Sequence, residues 1–254
     1  MAEDPEKSSA TSAIVLMFVV VAVAAYCMLY GLQTLAWIEG KYWASRDAWL
    51  NEVPQPLPAA APAGAKLTST SAYDFKFTTS WGAPKITPSQ SFVVMRFDSG
   101  QIIAFYDPQT MLDSIGRLKS ASPTEYQKFA NVFIDHPIES NFALFQAVYG
   151  ASPALESPVM AGREALRMNV LLLWKLSFGF DTGPEIYSFQ WGAMRGFQFG
   201  EPLKGRPVAL RVFDDRDRQF RFFFLVAANS SAQISQDEIA GVVASLQPVP
   251  VTER

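Results

Sequence analysis

Three aspartates in the C-terminal third are the residues whose spacing best suits chemistry: Asp214, Asp215 and Asp217. Carboxylate oxygens are the ligands that calcium and magnesium prefer in proteins. Arg216 and Arg218 stand among them and would neutralise the group, and the Gly and Glu of a calcium loop are absent. We therefore interpret the run as a charged turn between two strands, with a divalent-metal site as the alternative.

The sequence lacks most of the residues that other catalytic arrangements need. His136 is the single histidine, so any Ser–His–Asp triad would depend on it, and the sequence has no G-x-S-x-G motif. A zinc site lacks its usual ligands, because neither H-E-x-x-H nor C-x-x-C occurs. His136 precedes Pro137 at a predicted helix start, where a solvated or capping role is expected. We predict no catalytic residue, no cofactor-binding residue and no metal ligand, and hence a protein that is not an enzyme.

Charge argues against a nucleic-acid partner. The chain carries 21 Lys and Arg against 24 Asp and Glu, a net charge of −3, and the basic residues are scattered without forming a block. Nucleic-acid binding requires clustered positive charge to neutralise phosphates. The single cysteine, Cys27, lies in an apolar segment and cannot form an intramolecular disulfide.

An apolar segment near the N-terminus predicts a transmembrane helix. No charged side chain occurs between Lys7 and Glu39, and Ala13 to Leu32 is almost wholly apolar. About twenty helical residues, at a rise of about 1.5 Å each, cover the ~30 Å hydrocarbon core of a bilayer. A cleaved signal peptide is the alternative, since Ala22 and Ala24 form an A-x-A pattern. The predicted partner of this helix is the lipid bilayer.

The apolar segment is followed by an amphipathic extension. Leu35, Ile38, Tyr42 and Trp49 recur at helical spacing, and the aromatic rings of Trp37, Tyr42 and Trp43 suit the headgroup region. We interpret these rings as an aromatic belt, with a partner-binding helix as the alternative. Basic residues are nearly balanced on the two sides of the segment, so charge does not decide its orientation. The layout of a short tail, one helix and a linker favours a single-pass protein of the cell membrane with an extracytoplasmic domain.

Composition divides the chain into five parts. We predict a polar tail over 1–12, a transmembrane helix with its juxtamembrane extension over 13–50, a linker over 51–72, a soluble domain over 73–248 and a second tail over 249–254. The linker is rich in Pro and Ala, which restrict the backbone and offer little surface to bury. We therefore expect it to act as a semi-extended spacer.

Alternating apolar residues predict strands at both ends of the domain. Phe75 and Phe77 begin the first group, and the segments 92–97 and 101–107 form a hairpin around Gly100, which supplies the positive φ of a tight turn. The second group comprises four strands, over 185–191, 195–200, 208–213 and 219–227. On the last pair, Val208, Leu210 and Val212 are predicted to share a core with Phe220, Phe222 and Phe224.

Capping motifs and apolar stripes predict four helices. Ser122 and Ser235 each begin a capping box, followed by an apolar face. A second stripe begins at Ile138 and ends at Gly150, a natural helix stop. A third comprises Leu166, Val170, Leu173 and Trp174. The apolar run after Val170 is interrupted by Lys175, so we predict a buried helix rather than a second membrane span.

This order of elements predicts an α+β fold, with an antiparallel sheet sandwiched by helices. The opening FKFTTSW, the antiparallel strand pairs and the closing EIAGVVASL resemble the Mog1/PsbP-like fold, and the stretch MRGFQFGEP resembles uncharacterised membrane-anchored bacterial proteins. The long helical block from Thr110 to Ser177 departs from that fold. The resemblance implies an assembly or binding module.

The sequence leaves open two functions from different classes. The first is a non-enzymatic interaction module that its anchor holds near a membrane-protein partner. The second is a binding domain that encloses a lipid or another apolar ligand. A large cavity lined by aromatic residues would favour the ligand, and a filled core with an exposed apolar patch would favour the protein partner.

Overall fold

The structure is a computed structural model of the 254-residue chain. It describes residues 5–59, 67–72, 75–89, 92–106, 119–120, 122–160, 162–177, 185–202 and 206–249. The predicted tail over 249–254, apart from Val249, therefore lies outside the described residues, as do the first four residues of the other tail and most of the segment between 107 and 121.

The chain begins with one long helix, α1 (Pro5–Arg46), whose axis bends by 70° between Met17–Gly31 and Gln33–Arg46. Within the described residues, no straight helix is both long and apolar enough to cross a membrane, whereas these two segments meet that criterion when taken together. The single transmembrane helix expected over 13–32 is therefore not shown by the structure. The large apolar side chains of the first segment, including Phe18, Val21 and Leu29, are exposed.

A mostly antiparallel sheet of eight strands forms the centre of the domain. Its spatial order is β1-β7-β8-β9-β10-β6-β5-β4, in which only the short pairing of β1 with β7 is parallel. The strands are β1 (Gln55–Pro56), β4 (Lys85–Pro88), β5 (Phe92–Arg96), β6 (Gln101–Tyr106), β7 (Ile186–Trp191), β8 (Met194–Phe199), β9 (Val208–Phe213) and β10 (Gln219–Val226). A smaller antiparallel sheet has the order β11-β3-β2, with β2 (Thr68–Ala72), β3 (Phe75–Thr79) and β11 (Gln247–Pro248).

Both predicted hairpins are present. β5 pairs with β6 in antiparallel register, and Gly100 in the turn between them has a φ of 100°, a conformation that favours glycine. β9 pairs with β10, and Phe222 lies directly opposite Leu210. The predicted sharing of one core by these two strands is confirmed, because Val208, Leu210, Val212, Phe220, Phe222 and Phe224 are all buried in the same cluster.

Two of the helices after α1 begin at the predicted capping residues, Ser122 and Ser235. α2 (Pro123–Val132) is capped by Ser122, α3 (Asn141–Gly150) by Ser140, and α5 (Gln236–Ser245) by Ser235 in a complete capping box. α4 (Gly162–Ser177) follows a short 3-10 turn, Pro153–Leu155. The mixed α+β class predicted from the sequence is therefore confirmed.

Different layers cover the two faces of the large sheet. One face packs against the small sheet and α5, whose buried residues include Phe75, Phe77 and Val242. The other face packs against α3 and α4, together with Trp49 and Leu50 from the end of the N-terminal region. A sheet enclosed by helices was expected, but the structure places a second sheet beside α5 on one side.

Part of the segment expected to be a spacer belongs to the fold. β1 pairs with β7, and Leu57 N donates to Ser188 O over 2.8 Å. β2 pairs with β3 along its whole length. Pro56 is tolerated in β1 because a strand at a sheet edge needs only part of its backbone groups paired. Composition alone does not distinguish an edge strand of this kind from a linker.

Candidate functional site: the junction of α1 with the domain

The region that connects α1 to the domain is organised around one buried lysine. Lys175, near the end of α4, is 0% exposed. Its Nζ donates to Ala151 O over 2.7 Å, to Tyr149 O over 3.1 Å and to Leu50 O over 3.4 Å, and also to Glu52 O. A buried charge is tolerated only when such partners replace its hydration. The ammonium group therefore ties α4 to the C-terminal end of α3 and to the chain that leaves α1.

Trp49, which follows α1 in the chain, also contacts Lys175 in this junction. Its indole Nε1 donates to Lys175 O over 3.0 Å, and its ring packs against Tyr149 and Phe199. Asp47 accepts from Trp49 N and begins the short 3-10 turn, Ala48–Leu50, that carries the ring into the core. The prediction that the juxtamembrane extension continues as an amphipathic helix to residue 50 is therefore wrong at Trp49. The helix ends at Arg46, and the turn that follows buries the ring.

Burial in this junction changes the acidity of Lys175. Removal from water disfavours the charged form and lowers the pKa of Lys175 to about 8, while the carboxylates of Glu52 and Asp47 oppose the change. Lys175 is thus a positive group in a site closed to solvent. Its four carbonyl partners give it a structural role at neutral pH.

The second half of α1 lies directly on the domain. Lys41 Nζ donates to Pro153 O over 2.8 Å, and Thr34 Oγ1 donates to Pro158 O over 3.3 Å. Between these two contacts, Gly40 lies against the carboxylate of Glu156, which a Cβ at this position would displace. The second half of α1 is therefore fixed to the segment 153–158.

Glu156 is half-buried at this contact. Burial raises the pKa of Glu156 to about 7, and the charge of Lys41 opposes the change. Its Oε2 atom has no hydrogen-bond partner within the part of the chain that the structure describes. The carboxyl group is therefore poised to change its protonation state near neutral pH.

A cavity of about 180 Å³ opens between α1 and α4. Apolar side chains dominate its lining, which comprises Trp43, Leu50, Leu172, Leu173 and Leu176 with Glu39, Gly40 and Asn169. Leu173 at its rim is 60% exposed, and Leu166, two turns earlier on α4, is 52% exposed. Of the predicted stripe, Val170 and Trp174 pack against the buried cluster, whereas Leu166 and Leu173 do not lie on the buried face of α4. The C-terminal half of the helix is apolar at nearly every position, so periodicity did not identify that face.

A second buried charged group lies on the same face of the sheet. Arg211 of β9 is 5% exposed, and its guanidinium carbon lies 3.9 Å from the centre of the Phe145 ring. Burial raises the pKa of the neighbouring Tyr149 to about 12, with Arg211 opposing, and lowers the pKa of Arg211 to about 10. The phenol stays protonated at neutral pH, so it does not serve as a base.

The three aspartates of the predicted turn have three different environments. Asp214 is 2% exposed and accepts from Arg218 Nε over 2.7 Å and from two backbone N–H groups of the same turn. Asp215 is exposed. Asp217, at a φ of 60°, accepts from Asn141 N over 2.5 Å and from Phe142 N over 3.0 Å. Asp217 therefore caps α3 from another part of the chain.

This arrangement revises the interpretation of the turn. A hairpin is present, as predicted, but two of its carboxylates hold structure and only Asp215 is simply solvated. Across the described residues, no group of three or more His, Cys, Asp or Glu side chains is placed to hold a metal ion. His136 is exposed, and its backbone N–H donates to Phe133 O over 3.0 Å.

No family model, no curated protein and no solved structure matches this chain. The resemblance to the Mog1/PsbP-like fold accordingly stays a prediction. Similarity to other proteins therefore gives no indication of function, and the contacts within the chain are the remaining observations.

Proposed function

We propose that this protein is a membrane-anchored interaction module without catalytic activity. The observation that carries the proposal is the division of α1 into two halves. The first half exposes its large apolar side chains, as a helix in lipid does. The second half is bound to the domain through Lys41, Thr34 and Gly40. The anchor would thus hold the domain at the bilayer surface in a defined position.

The protein partner would contact the exposed leucines of α4. Leu166 and Leu173 are large apolar residues that stay accessible, whereas Leu171 and Leu172 of the same helix are buried. Exposed apolar patches of this kind mark interaction sites. The sheet face next to the small sheet is filled by close ring contacts, such as Phe105 on Phe222 with centroids 4.3 Å apart, which supports an interaction surface over a binding chamber.

Two measurements test the proposal. The intact protein should stay in the membrane fraction after carbonate or high-salt washing, because neither treatment weakens apolar burial in lipid. A photo-reactive residue at Leu166 should then crosslink to a membrane protein, and Leu173→Asp should abolish that product. Ile86→Asp, at an equally exposed position on β4, is the matched control and should leave it unchanged. Release by salt, or equal loss in both variants, would refute the proposal.

The cavity between α1 and α4 favours a second candidate function, the binding of an apolar ligand. Its leucine-rich lining and partial opening would accept the end of a lipid chain. Mass spectrometry of the purified protein would show a stoichiometric lipid that Leu172→Trp displaces.

A further inference from the structure

The bend in α1 has a geometric consequence if the anchor is as proposed above, and this inference rests on that proposal. A helix that crosses the bilayer close to its normal and then bends by 70° continues nearly parallel to the membrane plane. The segment Gln33–Arg46 would then run along the surface of the bilayer. Interfacial helices of this kind bury one apolar face at the boundary between headgroups and acyl chains.

The segment has an apolar face in the required position. Gly40 faces the domain, because a Cβ there would overlap Glu156. Ile38 and Tyr42 each lie two residues from Gly40, which at 3.6 residues per turn places them on the opposite side of the helix. Leu35 joins them there, and the three side chains are 62%, 52% and 49% exposed for Leu35, Ile38 and Tyr42. An apolar stripe therefore faces away from the domain along the second half of α1.

The flanking side chains suit a headgroup layer. Arg46 follows Tyr42 by one turn, and its guanidinium lies 4.7 Å from the centre of the Tyr42 ring. Tyrosine, tryptophan and basic residues are typical of the membrane interface. The stripe is also continuous with the apolar first half of the same helix, whose lipid contact is part of the proposed function.

We propose that Leu35, Ile38 and Tyr42 form a bilayer-docking face, which clamps the second half of α1 between the domain and the lipid surface. The occupant of this face is the lipid bilayer rather than a second protein. The domain then rests on the membrane and is not free to swing from a tether. The stripe on α1 then binds lipid, while the exposed leucines of α4 remain accessible to a protein partner.

The test uses the full chain in lipid vesicles, with Cys27→Ser and one new cysteine carrying an environment-sensitive fluorophore. Ile38→Cys is the test position and Leu35→Cys its replacement if the first variant does not fold. Ile86→Cys is the control, because β4 lies at the sheet edge farthest from β1 and the junction. Val21→Cys reports on the anchor itself.

Iodide in the water phase should quench the probe at Ile38 about fivefold less than the probe at Ile86, and spin-labelled lipid should quench it more. Equal iodide quenching at the two positions would overturn the docking face, and protection from iodide without lipid quenching would do so as well, since a protein would then cover it. If Val21 is protected while Ile38 is not, the anchor stands and only the docking face fails. If Val21 is itself open to iodide, the anchor proposal fails.

Discussion

The two faces of the large sheet are closed by different kinds of contact. The face toward the small sheet is filled with apolar rings, and Phe75, Phe105, Phe220 and Phe222 pack edge to face or stacked. The face toward the helices buries Lys175 and Arg211 among its aromatic residues and is completed by Trp49. The first face holds parts of the domain to one another. The second also holds α1, so the buried basic side chains Lys175 and Arg211 lie on the face where a separate segment must be positioned.

The largest effect is expected on the apolar face. Phe222→Ala removes a fully buried ring from the stack with Phe105, and it should lower the free energy of unfolding by about 3–5 kcal/mol. Urea unfolding of the full chain in detergent measures this. A loss below about 1 kcal/mol would show that this face is not a close-packed core.

The next effect concerns the polar tie to α1. Lys175→Met keeps most of the side-chain volume but removes the three N–H donors that the four backbone carbonyls share, so it should cost about 2–3 kcal/mol. It should also speed tryptic cleavage after Arg46, because the junction is held by the same group. Lys128→Met, at an exposed lysine, is the control and should change neither quantity. Identical behaviour of the two variants would mean that Lys175 does not fix α1.

A smaller effect is expected where the hairpin caps α3. Asp217→Asn keeps a residue that tolerates positive φ but leaves only one acceptor for two N–H groups, which should cost about 1 kcal/mol. Asp215→Asn, two positions earlier and exposed, should change stability by no more than about 0.5 kcal/mol. Equal changes in stability for the two variants would mean that Asp217, like Asp215, is only solvated. Calcium or magnesium should leave the melting temperature of both unchanged.

The last effect is the pH dependence of the contact between α1 and Glu156, which solvent screening at this half-exposed carboxyl group reduces. The pKa of Glu156 is about 7 in the folded protein and about 4.3 in an unfolded chain, so the native state binds the proton more tightly. Its contribution to stability is therefore present below about pH 4.3 and is lost as the pH rises through 7. Glu156→Gln should remove this dependence, and melting curves at pH 5 and pH 8 compare the two proteins. If Glu156→Gln lowered the melting temperature, relative to the unsubstituted protein, more at pH 8 than at pH 5, the expected direction of the pH dependence would be wrong.

Local patterns predicted much of the fold. Ser122 and Ser235 begin helices because a capping side chain acts on the next few residues. The hairpin at Gly100 is likewise a short-range feature. Contacts between distant segments could not be predicted from local patterns. Asp217 caps α3 at Phe142, 75 positions away, and Trp49 is buried against Lys175, 126 positions away. The one available sign was Lys175 itself, a charge within an apolar run.

If α1 is the membrane anchor proposed above, Lys175 also bears on which helix enters the membrane during synthesis. The stretch around it, VLLLWKL, is apolar enough to compete for insertion as it emerges. A lysine within an apolar stretch opposes insertion, by about 2.5–3.5 kcal/mol at the centre of the inserted segment, and several leucines at about 0.3–0.6 kcal/mol each are needed to offset it. The same ammonium group that later binds four carbonyls is thus expected to keep α4 out of the translocon's lateral gate. One side chain would then act twice, first on the membrane topology of the chain and later on the folding of the domain.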